Sequence, residues 1–180
     1  GLVSVANSVI TLTGDRSIST TNTNITLDEV LTNTNNDHVL SLTAGSGNIV
    51  IDDNIGVNGG NVLGGLTIVS AADVTLSGAA ATADLGATSG LTVTNASGDV
   101  EFDAAVNSAG AIDINTATLT LDAAMTTTGG ANITITNTGT AALNALVTSA
   151  GSTTFDGAGA ITLGANIVSA GLVWVAHSAL

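Results

Sequence analysis

The side chains of this chain that suggest chemistry are acids, at positions that invite pairing. Asp52-Asp53-Asn54 sets three oxygen-bearing side chains in a row, and Asp103 and Asp122 recur one repeat apart, with Asn144 following. Carboxylates about 5 Å apart repel unless a cation or a hydrogen bond intervenes, and Ca²⁺, a hard ion that prefers oxygen, suits such a group. Asp52, Asp53, Asp103 and Asp122 are therefore the candidate calcium ligands. The Gly-Gly-x-Gly-x-Asp spelling of calcium-binding repeats is absent, and an Asp that closes its own turn explains the same residues without an ion. The expectation is no cofactor, with Ca²⁺ as the one weak option.

The remaining reactive residues do not assemble. His38 follows Asp37 and would make a base with a partner, but neighbours along a strand face opposite sides. Arg16, the one Lys or Arg in the chain, lies in Gly14-Asp15-Arg16-Ser17 and reads as a solvated loop cation. His177 falls in the last coil. Catalysis needs a nucleophile, a base and an orienting group in one cleft, and these positions do not supply them. The chain reads as a non-enzyme without catalytic residues.

Charge narrows the partners. Fourteen acids against one base give a net charge of −13, whereas nucleic-acid binding draws on Lys and Arg to neutralise phosphates. DNA, RNA and anionic membrane surfaces are set aside. Without cysteine there are neither disulfides nor thiolate zinc sites. No run of about 18 apolar residues provides a membrane-spanning helix.

The elements that must position these residues come from a repeat of about 20 residues. Glycine marks it at Gly65, Gly90, Gly110, Gly130, Gly151 and Gly171. After each marker two apolar residues flank a small or polar one, as in Leu91-Thr92-Val93, Ile112-Asp113-Ile114 and Ile133-Thr134-Ile135. The pattern returns at Val100-Glu101-Phe102, Leu119-Thr120-Leu121, Ala141-Ala142-Leu143 and Ile161-Thr162-Leu163. A corner follows at Asp103, Asp122, Asn144 and Gly164, then one apolar residue at Val106, Met125, Val147 and Ile167. Alternation of period two means strand, and no helical period competes with it.

Identical positions in successive coils stack into parallel sheets about 4.8 Å apart. The fold expected is all-β, a right-handed parallel β-helix of roughly eight coils, and residues 1–180 form a single solenoid segment. Toward the N-terminus Val3-Ser4-Val5, Leu40-Ser41-Leu42 and Leu66-Thr67-Ile68 read as first strands. Ile10-Thr11-Leu12, Ile25-Thr26-Leu27 and Ile49-Val50-Ile51 read as second strands, with Leu31 and Ile55 inward after the corners Asp28 and Asp52. Residues 20–24, 32–37 and 56–64 read as polar insertions. Outward positions such as Thr120 are expected to accept a charge.

The coils resemble those of the filamentous haemagglutinin type of secreted β-helical exoprotein, the adhesins of bacterial two-partner secretion. The likeness rests on units such as Leu119-Thr120-Leu121-Asp122-Ala123-Ala124 and Ile161-Thr162-Leu163-Gly164-Ala165-Asn166-Ile167, and it covers nearly the whole chain. It implies an extracellular or bacterial cell-surface rod with a structural or adhesive role. A carbohydrate-binding solenoid, with host or matrix glycans as partners, is the alternative, and an ice-binding Thr array is a third class. That array would use Thr92, Thr94, Thr134 and Thr136, but Asp113, Asn115 and Asp156 interrupt it.

Both ends suggest self-association. Residues 1–8 and 171–178 match at six of eight positions, which reads either as two good first strands or as a unit of a longer array. The start at Gly1, without Met or a signal peptide, reads as an excised or processed segment. Leu2, Val3, Val5, Leu172, Val173, Trp174 and Val175 are the candidate interface, joining copies head to tail or as consecutive covalent repeats. Trp174 is outward if Val173 and Val175 point in, and inward if the register slips by one.

Overall fold

In a parallel pair, every strand bonds to a neighbour running the same way, so a continuous chain must make a full circuit before it can pair with itself. The computed structural model of the chain describes residues 1–6, 8–32, 37–56, 62–78 and 82–177, the side chains of Leu31, Thr32, Thr82 and His177 excepted. Its strand pairs are parallel, each joining a segment to the one a circuit later. About seven turns stack into an all-β solenoid, and no α-helix occurs among the described residues.

Each turn has three faces. The first holds Arg16–Ser19, Val39–Thr43, Leu63–Ser70, residues 90–93 and 112–116, Ile133–Asn137, Thr153–Gly157 and Val173–His177. The second stacks Val3–Val5, Ile25–Leu27, Ile49–Ile51, Val74–Leu76, residues 100–102 and 119–121, Ala141–Leu143 and Ile161–Leu163. The third stacks Ile10–Leu12, Val30–Thr32, Ile55, residues 82–85, Ala105–Ser108, Met125–Thr127, Val147–Ser149 and Ile167–Ser169. Thr82–Phe102 turns through two corners without a break and so contributes to all three.

Because pairing is in register, alternation sends the same column of every strand inward. Leu40, Leu66, Leu91, Ile112 and Ile133 form one buried column, and Leu42, Ile68, Val93, Ile114, Ile135 and Phe155 form the next. Each such side chain contributes about 1.5–3 kcal/mol by leaving water. The same stacking forces the marker glycines Gly90 and Gly110. Gly90 has φ +67°, and a Cβ there would lie 2.1 Å from the Ala111 carbonyl oxygen of the next coil. A Cβ on Gly110 would meet the Gly90 nitrogen at 2.7 Å. Coils approach at this corner closely enough to exclude any side chain.

The N-terminal phase differs from the sequence reading. Val3-Ser4-Val5 pairs with Ile25-Thr26-Leu27 and belongs to the second face, while Ile10-Thr11-Leu12 pairs with Val30–Thr32 on the third. Apolar-x-apolar is common to all three faces, so only corner spacing sets the phase, and the corners here are irregular. After Asp28, where Leu31 is the inward residue expected, the fully buried residue bridged to Ile55 is Val30; the Leu31 side chain lies outside the described residues. That corner is one residue shorter than the one after Asp52. Residues 20–24 form a tight bend in which Thr20 Oγ1 donates to the Thr23 carbonyl and Asn22 takes φ 55°. The insertions at 32–37 and 56–64 lie largely outside the described residues. At the other end Ile161 is half-buried and Leu163 is 57% exposed, because their column ends there.

Two substitutions test the columns. Leu121→Asp puts an unpaired charge in the stack and should cost more than about 4 kcal/mol in denaturant melts, whereas Thr148→Asp, on an outer column beside Thr126 and Val168, should cost less than about 1 kcal/mol. Thr153 occupies the inward column between Ile133 and Val173, is fully buried, and leaves its hydroxyl without a partner. Thr153→Val should therefore stabilise by about 1 kcal/mol, read as a melting temperature about 2–4 °C higher.

Candidate functional site

The acids gather along the corner that follows the second face. The first residue past each strand donates its N–H to the last strand carbonyl one coil earlier. Asp28 bonds to Val5, Asp52 to Leu27, Ser77 to Ile51, Asp103 to Leu76, Asp122 to Phe102 and Asn144 to Leu121. One column thus carries Asp28, Asp52, Ser77, Asp103, Asp122, Asn144 and Gly164. Within it Ser77 Oγ donates to Asp52 Oδ1 at 2.8 Å, and Asn144 Nδ2 donates to Asp122 Oδ1 at 2.7 Å.

Asp103 and Asp122 are consecutive in that column, and Glu101 joins them from the adjacent outward column. Carboxylate oxygens of the three lie within 4.8 Å of one another, the one acid cluster of this kind among the described residues. Asp103, burial, Asp122 and Asp99 together raise the Glu101 pKa above the ordinary carboxylate value, Asp103 most of all. These three residues could present oxygens to a hard cation from one side. Of the four calcium candidates, the fold brings Asp103 and Asp122 together and adds Glu101, which the sequence reading passed over as an outward strand residue. Asp52 and Asp53 do not converge. Asp53 Oδ1 accepts the backbone and side-chain N–H groups of Asn54, both at 2.8 Å, while Asp52 turns to Ser77.

Other acids and amides extend the backbone ladder across corners. Asn24 Oδ1 accepts the Asn48 N–H at 2.9 Å, Asp73 Oδ1 the Asp99 N–H at 3.0 Å, and Asn132 Oδ1 the Ser152 N–H at 2.8 Å. A second device went unread in the sequence. Ser108, Thr127 and Ser149 are buried at the end of the third face and donate to carbonyls of Gly110, Ala131 and Ser152. Ser169 repeats the role toward Gly151. The signal was a hydroxyl recurring two or three residues before the markers Gly110, Gly130, Gly151 and Gly171.

His38 Nδ1 lies 3.2 Å from Asp37 Oδ1, contrary to the expectation that the two diverge. Both precede the strand Val39–Thr43, so strand alternation does not apply to them. Arg16 is exposed, as expected, but it opens a strand instead of sitting in a turn. The His177 side chain lies outside the described residues. Trp174 pairs with Thr154 in the outward column and is 60% exposed, which selects the outward alternative. Leu2 is 66% exposed, and Val3 and Val5 are half-buried against the core. Leu172, Val173 and Val175 are exposed with Trp174 on the last coil. Thr120 pairs with Glu101, so a charge there meets the acid cluster and is no longer harmless.

These features define a β-helical repeat protein. No protein-family model, no curated protein and no solved structure matches the chain. No helix among the described residues is long and apolar enough to cross a membrane.

The cluster yields a pH prediction. A carboxyl whose folded pKa is raised favours the native state when protonated, and that advantage is lost as pH rises from the unfolded value through the folded one. Glu101→Gln cannot ionise, so it should melt above the wild type at pH 7, with the difference vanishing as pH falls below the carboxylate range. Thermal melts of both proteins across pH 3–8 check this. A difference independent of pH would remove the electrostatic account.

Proposed function

We propose that this chain is a structural or adhesive rod of a bacterial surface or secreted filament, of the filamentous haemagglutinin style, acting without catalysis. The observation that carries the reading is the stacking of the strands in register from coil to coil, with register shifts confined to the ends of strands and corners: the chain's order goes into length and stiffness, and many of its acids are engaged in hydrogen bonds between coils. A surplus of acids over bases keeps such rods apart along their sides. A sugar-binding solenoid would offer a row of exposed rings or clustered acids on one face; the acids Glu101, Asp103 and Asp122 do cluster, but the rings are lacking. Here Phe102 and Phe155 are buried, and Trp174 stands as the single exposed aromatic residue, which favours the rod over the carbohydrate-binding alternative.

Contact between rods would use the ends, where parallel strands present unpaired N–H and C=O groups. Leu163, Val168, Leu172, Val173, Trp174 and Val175 are exposed on the last coil, and no acid follows Asp156 in the sequence. Extending the three faces with a second copy sets Val3–Val5 on Ile161–Leu163, Ile10–Leu12 on Ile167–Ser169, and Arg16–Ser19 on Val173–His177. Such a contact is heterologous, and without ring closure it propagates as a filament.

Thr153 N–H donates to the Leu172 carbonyl, so alternation turns the backbone groups of Val173 and Val175 to the open side. Val173→Pro therefore removes an N–H that the molecule's own ladder does not use. In sedimentation velocity the wild type should associate as concentration rises, with Trp174 emission shifting to the blue, and Val173→Pro should do neither. A wild type that stays monomeric with fully solvated Trp174 would refute end-to-end stacking.

A further inference from the structure

We infer that Asn95 is the acceptor of an N-linked glycan, its side-chain amide taking a sugar from a donor activated as a diphosphate ester. The chain holds three Asn-x-Ser/Thr triplets, none with proline in the middle: Asn24-Ile25-Thr26, Asn95-Ala96-Ser97 and Asn132-Ile133-Thr134. The spacing matters because an amide nitrogen is a poor nucleophile, and transferases that use it read the hydroxyl two residues on while they position the amide. Residues i and i+2 of an extended segment face the same way, so one surface presents both groups.

All three triplets have an exposed Asn beside a buried middle residue, but their corners treat them differently. Asn24 Oδ1 accepts the Asn48 N–H at 2.9 Å and Asn132 Oδ1 the Ser152 N–H at 2.8 Å, which holds each amide against the next coil. A Cβ on Gly151 would stand 2.2 Å from Asn132 Oδ1, so that amide fills its corner. Thr26 and Thr134 are likewise enclosed in ladders, between Ser4 and Val50 and between Asp113 and Thr154. The Asn95 side chain has no hydrogen-bond partner among the described residues, and Ser97 is exposed beside it while Ala96 packs inward.

Pairing with the next coil explains that exposure. Val93 pairs with Ile114 and Ala96 with Thr116, so Thr94 and Asn95 together oppose Asn115. Asp99 pairs with Thr118, so Ser97 and Gly98 together oppose Ala117. Two bulges in succession make this corner two residues longer than the one stacked on it, and bulges re-aim side chains. The backbone stays tied to the preceding coil, with Ser97 N–H donating to the Ala71 carbonyl at 3.1 Å and Gly98 N–H to the Ala72 carbonyl at 2.8 Å. A sugar at Asn95 therefore projects from a fixed ledge on the flank of the rod and displaces no contact of the fold. In the transfer Nδ2 bonds to the anomeric carbon, the bond from that carbon to the diphosphate oxygen breaks with its electron pair going to the oxygen, and Nδ2 gives up one proton. Oδ1 and the second N–H are retained.

The experiment is mass spectrometry of the chain purified from its native cells, intact and as proteolytic peptides. Wild type is compared with Asn95→Gln, Ser97→Ala, Ser97→Thr and the double variant Asn24→Gln/Asn132→Gln, with circular dichroism confirming the fold of each. Wild type should carry sugar on the peptide that contains Asn95, and Asn95→Gln and Ser97→Ala should lose it completely. Ser97→Thr and the double variant should keep it. An unmodified wild type overturns the assignment, as does sugar confined to Asn24 or Asn132. Sugar that survives Asn95→Gln overturns it too, since the attachment would then be to a hydroxyl or to another amide.

Discussion

Everything in this molecule follows from pairing each strand, in register and in parallel, with the strand one circuit later. That pairing converts a side chain into a member of a column, so its suitability is judged against residues about 20 positions before and after it. Apolar columns run inward because alternation leaves them no other place. Proline is excluded from the chain because nearly every strand donates on both sides. Where the backbone ladder breaks at a corner, side chains continue it: Asn24, Asp73 and Asn132 accept backbone N–H groups from the next coil, and Ser108, Thr127 and Ser149 donate to carbonyls left over by the turn.

The same constraint decides what was legible. From Leu91 onward the spacing between corner and glycine is regular, and residues such as Ile112, Leu121 and Ile135 fall in the core where alternation puts them. Before Gly65 the corners vary in length, and a phase error there moved Val3–Val5 and Ile10–Leu12 one face along. The acid cluster was half legible. Asp103 and Asp122 share a corner and announce each other through spacing, but Glu101 reaches them from a different column, and that contact depends on corner geometry absent from a linear pattern. Asp37 and His38 met for a related reason, since they lie just outside the strand whose alternation would have separated them.

Acids are unevenly spread along the axis, with Asp156 alone among them after Asp122. In the acidic part the corner column intersperses donors, Ser77 beside Asp52 and Asn144 beside Asp122, so that most carboxylates meet a hydroxyl or an amide. Between Asp103 and Asp122 no donor intervenes, and the local repulsion appears as the raised pKa of Glu101. In a protein otherwise consistent from coil to coil, such a point is a frustrated contact that folding alone did not require.

Departures from column identity are therefore the places to look for purpose in a repeat fold, since repetition itself requires none of them. Three stand out by different physics: repulsion at Glu101, Asp103 and Asp122; a buried, unpartnered hydroxyl at Thr153; and a charge at the foot of an apolar column at Arg16. The first two lie inside the stack and lower its stability without altering its outline. Arg16 keeps its guanidinium out of the column, folded over Gly14 and bonded to the Asp15 carbonyl. A solenoid concentrates its energetics in neighbour contacts, so each of these departures is felt mainly by the coils beside it.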